Sequence, residues 1–374
     1  MQHFASVKTL KRLFRVFVTL LVVLGLVYAS YEAVGQWRAE SNRAAMEIAE
    51  LDELLSRTDD ADQRDLIIEK REQLIANQPL LRNVDYRYLF LAAVSYAIGL
   101  IPSALLLCQA IGSFGEKPPS SITIAAHLLG HVGKYVPGKA LVVILRAGVL
   151  RSAGVPTLKA TVSIFIETLM MMAVGGTISS LIVILLPVPG WIIGLAILAS
   201  IVASLPTLPP VMSRITKYLF QKKNGLAESS SATGDGNSEE SAEAAGYQNV
   251  QQNVWRLFFI GWFLSIVTWC LIGFSFSCVI MAIPTGEILP PPLMLFAIAT
   301  AAISLAVVLG FASLIPGGAG VRELVLASIL GIMITPTHGL LAAVLIRGIH
   351  IFTESLIAVG CWIWLRGNKI GPQG

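Results

Sequence analysis

Long apolar runs separated by short polar breaks make up most of this chain, and run length decides what each can be. A helix crossing the hydrocarbon core needs about 20 mainly apolar residues. Runs at 14–34, 88–111, 157–186, 190–207, 254–283 and 338–365 reach or approach that length and predict about six full spans. Two other apolar regions, 120–150 and 293–334, are interrupted midway by Gly and Pro. Their pieces are short or irregular for clean spans and predict re-entrant hairpins.

Two polar intervals punctuate these runs. Residues 36–86 carry heptad-like apolar positions (Met46, Ile48, Leu51, Leu54, Leu55, then Leu66, Ile67, Leu74, Ile75) around a central "SRTDDADQRD". Asp and Ser there are capping and turn residues, so the pattern predicts a helical hairpin outside the membrane. It is acidic overall; either the two arms simply pack on each other, or the hairpin docks a protein partner. Residues 224–248, rich in Ser, Gly, Ala and Glu without apolar periodicity, have the composition of a disordered linker. The expected organisation is therefore an N-terminal membrane half, 1–207, a cytoplasmic and partly disordered linker, 208–253, and a C-terminal membrane half, 254–374.

Composition agrees with a membrane protein: 55% of residues are hydrophobic and 13% charged, with a mean hydropathy of +0.73, against about 25% charged in soluble domains. A net charge of +4 without a basic stripe gives no support to nucleic-acid binding. Cys108, Cys270, Cys278 and Cys361 lie in apolar segments without C-x-x-C spacing, and read as packing residues. The basic start (Lys8, Lys11, Arg12, Arg15) before Val16–Ala29 resembles a secretory signal, but the run continues toward Val34 and reads as an uncleaved span. Lys and Arg at the N-terminus, at Arg214, Lys217, Lys222 and Lys223, and at Arg366 and Lys369 put both termini in the cytoplasm.

The two broken regions echo each other. Leu129-Gly130 is followed by Pro137-Gly138, and Leu309-Gly310 by Pro316-Gly317. By the topology above, one hairpin enters from each side of the membrane, the pattern of inverted-repeat transporters whose interrupted segments mark the substrate site. The expected fold is thus all-α and polytopic, with about six spans and two re-entrant hairpins in an inverted repeat.

Gly133, Gly138 and Lys139 fit the G-x-x-x-x-G-K spacing of a nucleotide-binding loop. However, Ala140 stands where Ser or Thr would hold magnesium, no strand precedes, and Pro137 lacks a backbone N–H. The same residues suit a lipid phosphate: Gly138 allows close approach, Pro137 can start a helix, and helix N-termini attract anions. Lys139 and Arg146 lie two turns apart on one face. The alternative is that Lys134 and Lys139 snorkel to the interface. In the second break, Gly317, Gly318 and Gly320 precede Arg322 and Glu323, which resembles an anion nest followed by a helix start.

A charge inside the bilayer is costly, so Glu167, within a span, is expected to pair with a hairpin Arg or Lys, or to exchange protons. Arg347, His350 and Glu354 fall on one face of the last span, as a structural ion network or a coupling face. His127 and His131 are spaced to share a metal but lack a third ligand nearby, and neither a metal nor a cofactor is expected. No catalytic constellation is evident, so the chain is not expected to be an enzyme.

"GKYVPGK" with Arg146, Glu167 and "PGGAGVRE" resemble the flippase-like transmembrane domain of the lysylphosphatidylglycerol synthase family, over about residues 10–34 and 86–366. The resemblance implies a lipid translocase of a bacterial cytoplasmic membrane, with Lys134, Pro137, Gly138, Lys139, Arg146, Glu167, Pro316, Gly317, Gly318, Gly320, Arg322 and Glu323 lining the lipid path. The chain stops at Gly374, where some members continue into an aminoacyltransferase, so no synthesis of aminoacyl lipid is expected. The expected partner is a membrane lipid with an anionic headgroup, aminoacylated or polyprenyl-phosphate-linked forms included. A protein bound through 36–86 and a second copy of the chain are further candidates. The alternative function is a non-transporting assembly factor for a lipid-modifying enzyme or glycosyltransferase.

Overall fold

The computed structural model describes Tyr31, Gly35, Arg38, Ala39 and residues 42–77, 83–135, 140–184, 190–214, 216–218, 236–285, 288–313 and 315–368. Its described residues form helices and no strand. In chain order the helices are α1 (42–57), α2 (Ala61–Ala76), α3 (Tyr86–Ser113), α4 (Ser120–Gly130), α5 (Ala140–Ser152), α6 (Thr157–Ile184), α7 (Gly190–Ser204), α8 (209–214), α9 (Gly236–Ala282), α10 (Pro292–Ala312), α11 (Val321–Met333) and α12 (Pro336–Gly367).

Among the described residues, five helices are long and apolar enough to cross a membrane: α3, α6, α9 from Asn253, α10, and α12. Their exposed faces carry large apolar side chains, such as Phe259 (63%), Phe263 (65%) and Phe352 (67%), an arrangement suited to lipid rather than water. This is a multi-pass membrane protein. The run expected as a first span, 14–34, lies almost wholly outside the described residues. Helix α7 has 15 residues, about 22 Å at 1.5 Å per residue, short of a full crossing. Helix α10 instead reaches 21 residues, because the second break follows a complete apolar run. The first arm of that broken region is therefore of span length.

Helix α9 begins at Gly236, inside the interval whose composition suggests a disordered linker. Residues 239–245, EESAEAA, are mostly strong helix formers joined to an apolar helix, so no separate nucleus is needed. Residues 219–235 lie outside the described residues. The chain forms two compact units, 1–93 with 274–349 and 94–273 with 350–374. The unit boundaries fall within α3, α9 and α12.

The second unit has a core of Leu107, Ile111, Ile122, Ala126, Leu150 and Ile164. Its helices approach through small residues, as membrane helices do. Gly99 of α3 faces Leu271 and Ile272 of α9, and Gly175 of α6 lies against buried Trp269. Trp269 Nε1 donates to the Met171 carbonyl at 2.9 Å, which satisfies the indole in an apolar setting.

In the other unit, α1 and α2 form an antiparallel hairpin. Asp60 caps α2, accepting from the Asp62 amide at 3.1 Å, and Arg71 pairs with Asp52 across the arms at 2.7 Å. Leu51 is buried, whereas Met46 and Leu66 are about two-thirds exposed (65% and 66%). The Asp85 amide donates to the Ala282 carbonyl and Ser275 to that of Ala92, tying α3 to α9.

Candidate functional site

Each unit contains one of the two breaks, and in each a charged side chain lies on a glycine. In the second unit, α4 ends at Gly130, a 3₁₀ turn follows over His131–Tyr135, and α5 starts at Ala140. Arg146, from the second turn of α5, crosses Gly130 so closely that a Cβ there would overlap its side chain from Cγ to Nε. Its Nη1 donates to Glu167 Oε2 at 2.8 Å, and Thr168 donates to the same oxygen at 3.3 Å. Arg146 and Glu167 are each 4% exposed. A buried pair of this kind stands only while both partners remain. Pro137, Gly138 and Lys139 lie outside the described residues.

The turn also delivers Lys134. Its ammonium donates to Glu354 Oε1, which also accepts from Tyr96, while Tyr135 donates to Glu354 Oε2 at 2.8 Å. Three donors thus converge on one buried carboxylate of α12. His350, one turn earlier, stacks on the Tyr96 ring with centroids 3.8 Å apart. His127 and His131 meet through their Nε2 atoms at 3.2 Å, and Ser103 Oγ lies 3.0 Å from His127 Nε2.

In the unit 1–93 with 274–349, α10 gives way to a 3₁₀ turn, Pro316–Gly318, and α11 begins at Val321. Gly317, Gly318 and Gly320 adopt φ of 58°, 64° and 89°, a region that strains residues with a Cβ. A Cβ on Gly310 would lie 2.8 Å from Arg322 Cγ, and one on Gly318 would lie 2.9 Å from Arg322 Nε. The Gly320 amide donates to Glu323 at 2.5 Å, closing the start of α11. Arg347 of α12 holds the turn from outside, donating to the Gly317 carbonyl at 2.8 Å with its Nε 3.5 Å from Glu323.

The anion-nest expectation narrows here. Gly318 N–H already donates to Ile315 and Gly320 N–H to Glu323, so the break has fewer amides to offer and Arg322 carries more of its positive potential. Arg347 and Glu354 take different partners, since seven residues separate them by about 10 Å along the helix.

The two breaks therefore share a local design. The glycine of a Leu-Gly pair ends or nearly ends one helix, an arginine from the next helix lies on it, and an ion pair joins that helix to the following one. The polarity reverses: α5 gives Arg146 and α6 Glu167, whereas α11 gives Glu323 and α12 Arg347. Sequence reasoning missed Tyr96, Tyr135 and Ser103. Only the general need of a buried tyrosine hydroxyl for a partner could have singled out the first.

The sequence profile described as the lysylphosphatidylglycerol synthase TM region matches residues 76–358. It spans both breaks and begins at the last residue of α2. No curated protein matches the chain.

Proposed function

The chain belongs to the lysylphosphatidylglycerol synthase transmembrane-region family, and on that premise we propose that it is a lipid translocase and not an enzyme. Its cargo is a lipid with an anionic headgroup, aminoacylated or polyprenyl-phosphate-linked, moved across the bacterial cytoplasmic membrane with both chain termini on the cytoplasmic side. The observation that carries this reading is the pair of matched breaks, Arg146 on Gly130 and Arg322 on Gly310. Each sets a cation beside bare backbone within an apolar bundle, and each is tied to the next helix by an ion pair that a phosphate can exchange into. A matched pair of Gly/Pro-interrupted segments, one in each unit, fits an inverted repeat, in which such segments mark the substrate site.

The test is reconstitution into liposomes with fluorescent lipids and dithionite quenching from outside. Protein-dependent loss of the protected signal is expected for anionic headgroups. It should disappear in a Lys139→Ala, Arg322→Ala double variant that still expresses and folds. Normal lipid movement in that variant would sink the mechanism.

One observation favours a second role. The α1–α2 hairpin precedes nearly all of the family match and exposes Met46 and Leu66, a surface suited to a protein partner such as a lipid-modifying enzyme. Deleting 42–77 is expected to leave lipid movement in liposomes unchanged. Loss of movement in a folded deletion variant would make the hairpin part of the transport machinery.

A further inference from the structure

Between the buried carboxylates of Glu167 and Glu354 in the second unit lie two imidazoles in line. Glu167 Oε1 is 4.0 Å from His127 Nδ1, His127 Nε2 is 3.2 Å from His131 Nε2, and His131 Nδ1 is 3.9 Å from Glu354 Oε1. Glu167, His127 and Glu354 are almost fully buried, and the side chain of His131 is 17% exposed.

One pair of ring tautomers follows when Ser103 keeps its hydrogen bond to the Leu100 carbonyl. Ser103 has one hydroxyl hydrogen and gives it to the Leu100 carbonyl at 2.9 Å, so toward His127 Nε2 it can only accept. His127 therefore carries its proton on Nε2, shared between Ser103 and His131. His131 Nε2 must then accept, which puts the His131 proton on Nδ1, facing Glu354. His127 Nδ1 is left as a lone-pair nitrogen facing Glu167, buried and with no hydrogen-bond partner among the described residues.

We propose that Glu167, His127, His131 and Glu354 form a proton path that couples proton uptake to headgroup binding. A proton arriving from the Glu167 side bonds to His127 Nδ1, and the His127 Nε2 proton passes to His131 Nε2. The His131 Nδ1 proton then passes to Glu354 Oε1. One proton enters, one is delivered, and both rings end in the opposite tautomer until they rotate back. The end gaps of about 4 Å exceed a hydrogen bond and must close as the site moves.

The surrounding charges supply the coupling. Arg146 from α5 stands beside Glu167 of α6 at one end. At the other, Glu354 of α12 faces Lys134 and Tyr135 from the turn and Tyr96 from α3, with His350 stacked on Tyr96. A phosphate that takes the Lys134 ammonium leaves Glu354 as a buried carboxylate without a counter-charge, an unfavourable state that the delivered proton relieves. Anion and proton then travel together without net charge. This rests on the translocase reading.

Labelled phosphatidylglycerol in proteoliposomes with an internal pH dye tests both claims separately. With one proton per lipid, each pH unit of imposed gradient is expected to shift the inner-to-outer lipid ratio about tenfold. His127→Gln and His131→Gln should remove that dependence, with thermal unfolding in detergent reporting that both variants fold. Ser103→Ala, which keeps both rings but frees the tautomer, should weaken it. Lipid that moves with a ratio indifferent to the gradient, or with a dependence the histidine variants retain, overturns the path and leaves the translocase reading standing. If no labelled lipid moves at all, the translocase reading fails. The dye then decides: protein-dependent proton entry lost in His127→Gln supports the path, and its absence overturns it.

Discussion

Replacing Glu354 with leucine is expected to destabilise the protein by about 3–5 kcal/mol, the usual cost of removing one partner of a buried ion pair, and to abolish lipid movement. The carboxylate is almost fully buried and is the common acceptor of Tyr96, Lys134 and Tyr135. Its loss removes the shared acceptor of one ammonium and two hydroxyls at once. Glu354→Gln keeps an acceptor for a tyrosine but does not neutralise Lys134, so a smaller loss is expected. Adding Lys134→Met to Glu354→Leu should restore most of the stability, since replacing a whole buried pair with apolar groups is often neutral or better. Transport should not return, because one of the cations proposed to meet the headgroup is gone. Thermal unfolding in detergent reads the first effect and dithionite quenching the second. A single-variant loss near 0.6 kcal/mol, the average for hydrogen bonds between membrane helices, would mean that the carboxylate is solvated and the convergence carries little energy.

That Glu354 must have a partner is readable from its place in an apolar run, but not which one. Lys134 is 220 residues away, while Arg347 is close in sequence and about 10 Å away along the helix. Pairing along a helix can be read from spacing; pairing between helices depends on packing that no periodicity encodes. The same limit applies to the interleaved units, whose boundaries lie inside continuous helices. Run length separates span from break, and in α10 the Gly-Pro interruption follows an apolar helix of 21 residues, long enough to cross. The Leu-Gly echo was legible for a different reason. A glycine on which another side chain lies cannot be exchanged for a larger residue, so the constraint is written in residue identity itself.

That constraint gives the last expected result. Gly130 sits at the end of α4 with an ordinary helical φ, so alanine there should gain up to about 1 kcal/mol from helix propensity alone. The new Cβ, however, occupies the space of the Arg146 side chain. Arg146 can leave only by giving up Glu167, which leaves two buried charges unpaired. A net loss of about 3–5 kcal/mol is expected, with lipid movement falling to background. Gly310→Ala should act in the same direction, because its Cβ would displace Arg322. Gly148→Ala is the control. It lies in α5, in the same hairpin, with nothing within 4 Å of its Cβ, and should be neutral or slightly stabilising with transport intact. If Gly130→Ala behaves like Gly148→Ala, Arg146 has another seat and the glycine floor is not what positions it. If Gly130→Ala loses transport and Gly310→Ala keeps it, the two breaks are alike in form only, and the headgroup is handled by the first.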